Sequence, residues 1–372
     1  MRRLRLGYVS PDFRIHSAAF LFSPVVWGHD RSRFEVWCYS SVMSKDQMTA
    51  KHMLVCDHWG ECYGVSDKDL AERIRADGID VLIDLAGHTA QTRLGVFVLK
   101  PAPVQVSGWG YLAAPGVPEI DWHFADPVLI PPEERCHYVE KIWDLPSTMH
   151  YIPPDGCPEV GPLPALANGY VTFGYLGRWS KVTQPVIDVW ASILRAVPTA
   201  KLLLKDKQFA NSDRILETMA RFGDVAKRLE FMPVSGHLQH LEAYGRVDVA
   251  LDPWPAGGGV TTLEALWMGV PTITMMGDRP SCRASASIMT VAGLTDCIAL
   301  DTKGYRRTAV NWATLGWLDR LRFDYRTQMR STALGDTVAY IRAVENAYLK
   351  MWALRRSSEL PLPSSARPAT AT

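Results

Sequence analysis

One segment, residues 249–276, constrains the fold more than any other part of the chain. It reads VALDPWPAGGGVTTLEALWMGVPTITMM, in which a glycine-rich stretch and a helix-forming stretch separate two apolar runs. The pattern predicts a buried strand over 249–251, a loop, a helix from about Thr261 and a second strand over 272–276. A helix that opens directly after a glycine loop points the positive end of its dipole at that loop. The segment therefore predicts an anion site of the kind by which parallel α/β folds hold phosphate.

The glycine loop supports this interpretation. Three glycines occur in a row, Gly257, Gly258 and Gly259, and glycine lets the backbone approach a ligand and leaves N–H groups free. A local alternative is a capping box, in which Thr261 and Glu264 satisfy the helix's first turn without any ligand. Capping explains these two residues but neither the glycines nor the Pro-Trp-Pro sequence before them. We favour anion binding, with which capping is compatible.

Strands and helices alternate along the rest of the chain. Strands are predicted at 4–9, 34–39, 79–85 and 103–107, and then at 170–174, 200–205, 229–232 and 297–300. Helices are predicted at 17–27, 66–76, 184–197, 212–222, 237–245, near 284–291, and at 337–354. Such alternation predicts an α/β fold with parallel, doubly wound sheets.

A chain of 372 residues is too long for one ordinary core, so two domains are expected. Residues 151–168 are rich in proline and lack periodicity, which predicts a linker. We expect a first Rossmann-like domain over 1–150 and a second over 169–335. A helix over 336–356 and a disordered tail over 357–372 follow. Because ligands bind at the carboxyl ends of parallel strands, the interdomain cleft is the expected functional site.

Composition excludes several classes of function. With 40 basic and 39 acidic residues the net charge is +1, so we expect neither nucleic acid nor an anionic membrane as partner. The seven cysteines are scattered without a CxxC pair, which argues against a disulfide framework or a zinc site. No secretory h-region or apolar run of membrane-spanning length occurs. A cytoplasmic protein is the expectation.

Two motif matches fail on their context. Asp67-Lys68-Asp69 has the outline of a metal-binding DxD, but it lies in the first turn of a predicted helix, where the dipole favours acids. We interpret it as part of a cap and predict no metal site. Residues 108–113 match the dinucleotide fingerprint GxGxxA, but Ala-Pro-Gly-Val-Pro follows instead of a helix.

Several segments together carry a family resemblance: 7–13 with His16, 84–89, 100–106, 171–174 with Lys181, and 259–271. In order and spacing they resemble the catalytic region of the protein O-GlcNAc transferase family, which includes the plant SPINDLY-type protein O-fucosyltransferases. The resemblance covers roughly residues 4–355. It implies a GT-B glycosyltransferase fold, an inverting mechanism, a nucleotide-sugar donor and no metal requirement. Family members usually carry tetratricopeptide repeats upstream, and this chain shows no such period, so the repeats were trimmed or are lacking.

The resemblance assigns roles on the donor side. Lys181 matches the family's phosphate-contacting lysine, although an ordinary surface lysine is the alternative. A lysine suits this task, because a metal-free transfer needs fixed cations and helix N-termini to stabilise the departing diphosphate. Arg178 is a second candidate. Thr261 and Thr262 are expected to bond phosphate oxygens, and Glu264 could reach a ribose hydroxyl.

Four further residues are assigned by the same resemblance. His16 matches the active-site histidine, which could bond the sugar or take a proton from the acceptor. His88 and Thr89 match a segment lining the sugar and diphosphate pocket. His237 and His240 match nucleobase and phosphate contacts. The resemblance does not settle which group takes the proton.

The resulting expectation is transfer of GlcNAc from UDP-GlcNAc to serine or threonine hydroxyls of a protein or peptide. Transfer of fucose from GDP-fucose is an alternative, favoured by Gly-His-Thr at 87–89 and Leu-Leu-Leu-Lys-Asp-Lys at 202–207. His237 and Val260 depart from the O-GlcNAc enzymes, which carry lysine and histidine there. Outside this class, a nucleotide-sugar epimerase of the same shape and a catalytically silent binding module stay open. The expected cofactor set is empty apart from the donor.

Overall fold

Seven strands from the first part of the chain form one parallel sheet in the computed structural model, which describes residues 2–314 and 318–359. The strands are β1 Leu4–Ser10, β2 Phe34–Ser40, β3 His58–Glu61, β4 Val81–Asp84, β5 Val104–Ser107, β6 Trp122–Ala125 and β7 Lys141–Asp144. Their order is β3-β2-β1-β4-β5-β6-β7, and every neighbouring pair is parallel. All four residues of β4 are buried, as expected where helices cover both faces of a sheet.

A second parallel sheet repeats this arrangement. It consists of β8 Thr172–Leu176, β9 Lys201–Lys205, β10 Leu229–Met232, β11 Val249–Leu251, β12 Thr272–Met275 and β13 Ile298–Ala299. The order is β10-β9-β8-β11-β12-β13, so each sheet winds outward in both directions from its first strand. The prediction of an α/β fold with two doubly wound sheets is confirmed.

Helices connect the strands and cover the sheets. They are α1 Ser17–Gly28, α2 Gln47–Val55, α3 Asp67–Asp77, α4 Leu94–Val98, α5 Pro164–Asn168, α6 Gln184–Ala196, α7 Ser212–Phe222, α8 His237–Ala243, α9 Val260–Trp267, α10 Pro280–Val291, α11 Thr302–Thr314, α12 Leu318–Arg330 and α13 Thr337–Glu359. Ser66 caps α3 by accepting a hydrogen bond from the N–H of Asp69, so the interpretation of the DxD outline as part of a cap is confirmed.

The strands missed from the sequence are short. β3, β6 and β7 have four residues each, too few for a period of two to be recognised. The strand predicted at 297–300 shrinks to Ile298–Ala299, and the helix predicted near 284–291 begins four residues earlier. The tail predicted from 357 is wrong for its first three residues, because α13 continues to Glu359. The rest of that prediction, residues 360–372, lies outside the described residues. The division at 151–168 stays a prediction.

The chain passes between the two sheets at two places, and these lie side by side. The first passage contains His150, whose Nδ1–H donates to the carbonyl of Ala333 while Nε2 accepts from the Thr337 hydroxyl, each at 3.0 Å. The His150 ring stacks on Tyr340, with centroids 4.8 Å apart. The N–H of Tyr151 donates to Leu334 in the same region. The two connections are therefore bonded to each other.

α13 returns to the first sheet and packs on α1. Its Glu345 is buried and accepts hydrogen bonds from the N–H of Asp30, at 2.8 Å, and from Nδ1 of His29, at 3.2 Å. Nε2 of His29 lies 2.7 Å from the Tyr8 hydroxyl of β1. Burial alone would raise the pKa of Glu345, but the hydrogen bonds from His29, Asp30 and Arg342 outweigh it and lower the pKa to about 2.

Replacing this carboxylate should destabilise the protein. We expect Glu345→Ala to lower the free energy of unfolding by about 3 kcal/mol at pH 7, because two buried donors lose their acceptor. Urea unfolding gives the difference. Lys350→Ala, on the exposed side of the same helix, should change it by less than about 0.5 kcal/mol.

The same variant predicts a pH dependence. A carboxylate with a lowered folded-state pKa contributes stability above its unfolded pKa, about 4.3, and loses it as the pH falls toward 2. The difference between Glu345→Ala and wild type should therefore shrink across that window. A difference that is equal at pH 7 and pH 3 would contradict this account.

Candidate active site

The predicted site residues follow the carboxyl ends of strands in both sheets. His16 lies beyond β1, and His88 beyond β4; Lys181 lies beyond β8, and the glycine loop beyond β11. The two groups face each other: the ring of Phe20 in α1 stacks on His237 in α8, with centroids 4.8 Å apart and planes 25° apart. The structure thus places both edges at one cleft, where ligands bind in such folds.

The glycine loop is held from inside by a carboxylate. Asp252, directly after β11, is buried, and its Oδ1 accepts the N–H of Gly258 at 2.6 Å. The N–H of Gly257 donates to the carbonyl of Ser281 at 3.1 Å. Two of the three glycine N–H groups are therefore used within the protein, and the expectation that the loop leaves them free is wrong for Gly257 and Gly258.

Close packing explains why glycine occupies these positions. A Cβ on Gly257 would lie 2.8 Å from Oδ2 of Asp252, and one on Gly258 would lie 2.4 Å from Oγ1 of Thr262. Both distances are shorter than a carbon can tolerate, so any side chain would force the loop to move. A Cβ on Gly259 would meet Met149 at 3.4 Å, a less severe contact.

The first turn of α9 differs from a capping box. The helix begins at Val260 with Gly259 as N-cap, and no side chain caps it. The capping prediction for Thr261 and Glu264 is therefore wrong, because the helix starts one residue earlier and Glu264 has other partners. Thr262 is buried with its Oγ1 2.8 Å from the Ser285 hydroxyl.

Free donors remain at this helix end. The N–H groups of residues 259–261 donate to no residue in the described part of the chain, and all three residues are partly exposed. With the positive end of the helix dipole they form a place for an anion. Anion binding here is supported by the helix N-terminus rather than by the first two glycines.

Lys181 lies against the same loop. Its Nζ donates to the carbonyl of Gly257 at 2.5 Å. Burial lowers the pKa of Lys181, and Asp252 opposes this while Arg178 adds to it. The structure therefore brings together the two elements that the sequence assigned to the diphosphate.

Glu264 is the acceptor of a buried cluster. Nε2 of His237 lies 2.8 Å from one carboxylate oxygen, and Nε2 of His240 lies 3.3 Å from the other. Nζ of Lys205, at the end of β9, lies 3.0 Å from Nδ1 of His240 and donates to the hydroxyl of Ser235. A protonated lysine can only donate, so His240 carries its proton on Nε2 and donates it to Glu264.

The charge of this cluster follows from its bonds. Burial would raise the pKa of Glu264, but the hydrogen bonds from the two histidines outweigh it and lower the pKa. Burial lowers the pKa of Lys205, opposed by the charge of Glu264. Lys205 was missed from the sequence, although a lysine that ends an otherwise apolar strand was a usable signal. Sequence assigned His237, His240 and Glu264 to the donor, and the structure joins them in one cluster.

His16 is the N-cap of α1. Its Nδ1 accepts the N–H of Ala18 at 3.3 Å and lies 3.4 Å from Oδ2 of Asp12. Burial lowers the pKa of His16, Asp12 opposes this, and Arg14 and Arg178 add to it. A neutral imidazole that accepts at Nδ1 carries its proton on Nε2. In this arrangement His16 offers the cleft a hydrogen-bond donor.

His88 and Thr89 bond locally within the first domain. Nε2–H of His88 donates to the carbonyl of Pro115 at 2.7 Å, and the Thr89 hydroxyl donates to the carbonyl of Ala86. No hydrogen bond or ring contact between described residues joins either of them to Lys181 or the glycine loop. Their assignment to the donor pocket stays a prediction.

The geometry agrees with the family comparison. The model of glycosyl transferase family 41 matches residues 1–153 and 163–344, which is most of the chain. The chain belongs to glycosyl transferase family 41. It is 34% identical, over 97% of its length, to the Arabidopsis thaliana protein named as a probable UDP-N-acetylglucosamine–peptide N-acetylglucosaminyltransferase SPINDLY. It covers 40% of that relative, so it spans about two fifths of the curated protein it matches.

Solved structures agree on the fold. A Thermobaculum terrenum O-GlcNAc transferase mutant is 34% identical, with a TM-score of 0.91 over 96% of this chain and 69% of that chain. Anabaena HepE in complex with UDP and glucose is 9% identical, with a TM-score of 0.60 over 94% of this chain and 100% of that chain. The second likeness shows the fold alone. The predicted GT-B architecture of this family 41 member is confirmed.

The described residues contain neither a metal-binding cluster nor a membrane-spanning helix. Within residues 2–314 and 318–359, no three His, Cys, Asp or Glu side chains lie close enough to hold a metal ion together. Of the helices within those residues, none is both long enough and apolar enough to cross a bilayer.

The packing of the glycine loop predicts an effect on stability. Gly258→Ala should destabilise the protein by about 1–3 kcal/mol, because its Cβ overlaps Thr262. Gly245→Ala is the matched control, since a Cβ there meets nothing within 4 Å. Thermal unfolding of both variants gives the comparison, and equal midpoints would show that the loop adapts to a side chain.

Proposed function

We propose that this family 41 chain is an inverting, metal-independent glycosyltransferase that transfers GlcNAc from UDP-GlcNAc to serine or threonine hydroxyls of proteins. One observation carries the proposal: Lys181 bonds the glycine loop directly beside the free N–H groups that open α9. This is an arrangement for a departing diphosphate at the carboxyl edge of a parallel sheet. The names of the SPINDLY relative and of the Thermobaculum terrenum enzyme support the donor and the acceptor class.

The chemistry needs charge stabilisation where the glycosidic bond breaks. The acceptor oxygen attacks the anomeric carbon from the face opposite the diphosphate, and the bond to the phosphate oxygen breaks with its electron pair leaving on UDP. The negative charge that develops there is met by the ammonium of Lys181 and the N–H groups of 259–261. Because these donors are already in place, they stabilise the transition state without reorganisation. Thr261 is partly exposed and can add its hydroxyl, whereas Thr262 is bonded to Ser285 and supports the turn.

His16 is the residue of the first domain that we assign to the reaction. His16 lies across the cleft, near enough to Arg178 for that charge to lower the pKa of His16. Because Nε2 carries a proton, it can donate a hydrogen bond to a sugar or acceptor oxygen, but it cannot take a proton from the acceptor. We therefore assign His16 to hydrogen bonding of the reacting groups, and the proton of the acceptor hydroxyl leaves to solvent.

The donor is tested directly by binding. Thermal shifts against UDP, GDP and their sugars should show stabilisation by UDP-GlcNAc, and ligand at 100 times its dissociation constant adds about 2.7 kcal/mol. A shift with GDP-fucose alone would transfer the proposal to fucose. Conversion of UDP-GlcNAc without any protein acceptor would identify an epimerase, and absence of any shift would contradict the whole assignment.

Lys181 and His16 should differ in their kinetic effects. Lys181→Ala should lower kcat by about 10²–10³-fold and weaken UDP binding, because its charge meets the leaving group. His16→Ala should lower kcat but leave UDP affinity unchanged by calorimetry. Unchanged turnover and UDP binding in both variants would mean that the active site lies elsewhere.

Metal independence has its own test. Activity should survive EDTA, since fixed cations and N–H groups supply the charge that a metal otherwise provides. Loss of turnover on chelation, with recovery on addition of Mn²⁺ or Mg²⁺, would overturn this part of the proposal.

A further inference from the structure

Asp252 is a buried charge that neither the sequence nor the family comparison assigned. The residue directly follows β11 and is only 5% exposed. Oδ1 accepts the N–H of Gly258 at 2.6 Å, and Oδ2 accepts the Thr274 hydroxyl at 2.9 Å. The Ser285 hydroxyl contacts Thr262 and lowers the pKa of the Asp252 carboxyl. A buried carboxylate is costly unless its oxygens are satisfied, and here two donors bond it directly.

The loop wraps around this group. The closest neighbour of a Cβ on Gly257 would be Oδ2 of Asp252, and a Cβ on Gly258 would come within 3.0 Å of Oδ1. The chain therefore turns tightly over the carboxylate and then enters α9. This turn directs residues 259–261 outward, so that their N–H groups remain available.

Charge links Asp252 to Lys181. Lys181 donates to the carbonyl of Gly257, within the loop that encloses the carboxylate. Asp252 counteracts the effect of burial on the pKa of Lys181, and Lys181 does the same for the raised pKa of Asp252. Around the pair, the ionisable groups that interact with one or both are Arg178, Tyr175, Tyr244 and Tyr305. Asp252 is the acid among them.

We propose that Asp252 is a positioning residue for sugar transfer, which shapes the phosphate loop and keeps Lys181 charged. This rests on the proposed function, because it assigns a role within the same donor site. Asp252 does not touch the donor; it acts through Gly258 and Lys181. A carboxylate beneath an anion site repels phosphate. Its presence here is explained by Lys181, whose positive charge it stabilises.

Asp252→Asn separates charge from shape. The amide oxygen can still accept from Gly258, but the charge that supports Lys181 is lost. We expect Lys181 to lose its proton at lower pH, so that the alkaline limb of the kcat profile moves down by about one unit. At pH 9 the variant should therefore fall further below wild type than at pH 7, by a factor that approaches about tenfold for a shift of one unit. UDP binding should weaken in parallel.

Thr274→Val is the matched control. It removes a hydrogen bond to the same carboxylate and leaves the charge in place, so its kcat profile should keep the wild-type alkaline limb. A purely structural Asp252 would lower kcat by the same factor at every pH in Asp252→Asn. Parallel profiles of wild type and Asp252→Asn would overturn the inference.

A second variant covers loss of folding. If Asp252→Asn does not fold, the inference is tested with Ser285→Ala, because this variant removes a hydroxyl that lowers the pKa of Asp252. The acid limb of UDP binding should then move to higher pH, and an unchanged limb would overturn the inference. The wild-type protein separates the two proposals. If wild type neither binds UDP nor transfers sugar, both proposals fail. If wild type binds and transfers but the pH profiles of the variants do not shift, only the role of Asp252 is removed.

Discussion

Buried aspartates at both ends of one strand hold each sheet to its loops. In the first sheet Asp80 precedes β4 and accepts the N–H of Arg5, and Asp84 ends that strand. In the second sheet Asp248 precedes β11 and Asp252 follows it. β4 and β11 occupy the same position, next to the first strand of their sheet. The first aspartate of each pair accepts an N–H from the neighbouring strand, and the second accepts an N–H from the turn that follows its own strand. The turns at the cleft are therefore bonded directly to the sheets.

The aspartates at the carboxyl ends of β4 and β11 shape the loops at the cleft. Asp84 accepts the N–H of Gly87 and the Ser107 hydroxyl, as Asp252 accepts a glycine N–H and the hydroxyl of Thr274. Burial raises the pKa of both carboxyls. Among the described residues of the first domain, no lysine side chain bonds the turn that follows Asp84, whereas Lys181 bonds the turn that follows Asp252. The same arrangement therefore shapes a loop in both domains, and in the second the added cation is the basis of the donor site that we propose.

Periodicity in the sequence was enough for the order of the long strands and helices. The assignment of Lys181 to the phosphate needed the family resemblance as well. Periodicity failed where a residue's partner is distant in the chain. Thr261 and Glu264 have the spacing of a capping box, yet Glu264 pairs with histidines of α8, because the fold packs that helix against α9. The sequence placed Asp252 in the loop after the predicted strand and gave it no role, since its contact with Gly258 depends on the turn. Tertiary packing, and no local preference, decided these cases.

The paired connections between the domains restrict how the cleft can open. Because the segment around His150 is bonded to the segment from Ala333 to Thr337, the two crossings act as one pivot rather than two independent tethers. A swing about this axis would leave α13 seated on α1 and separate Phe20 from His237. Because that ring stack joins helices of the two sheets, its breaking would report an opening of the cleft.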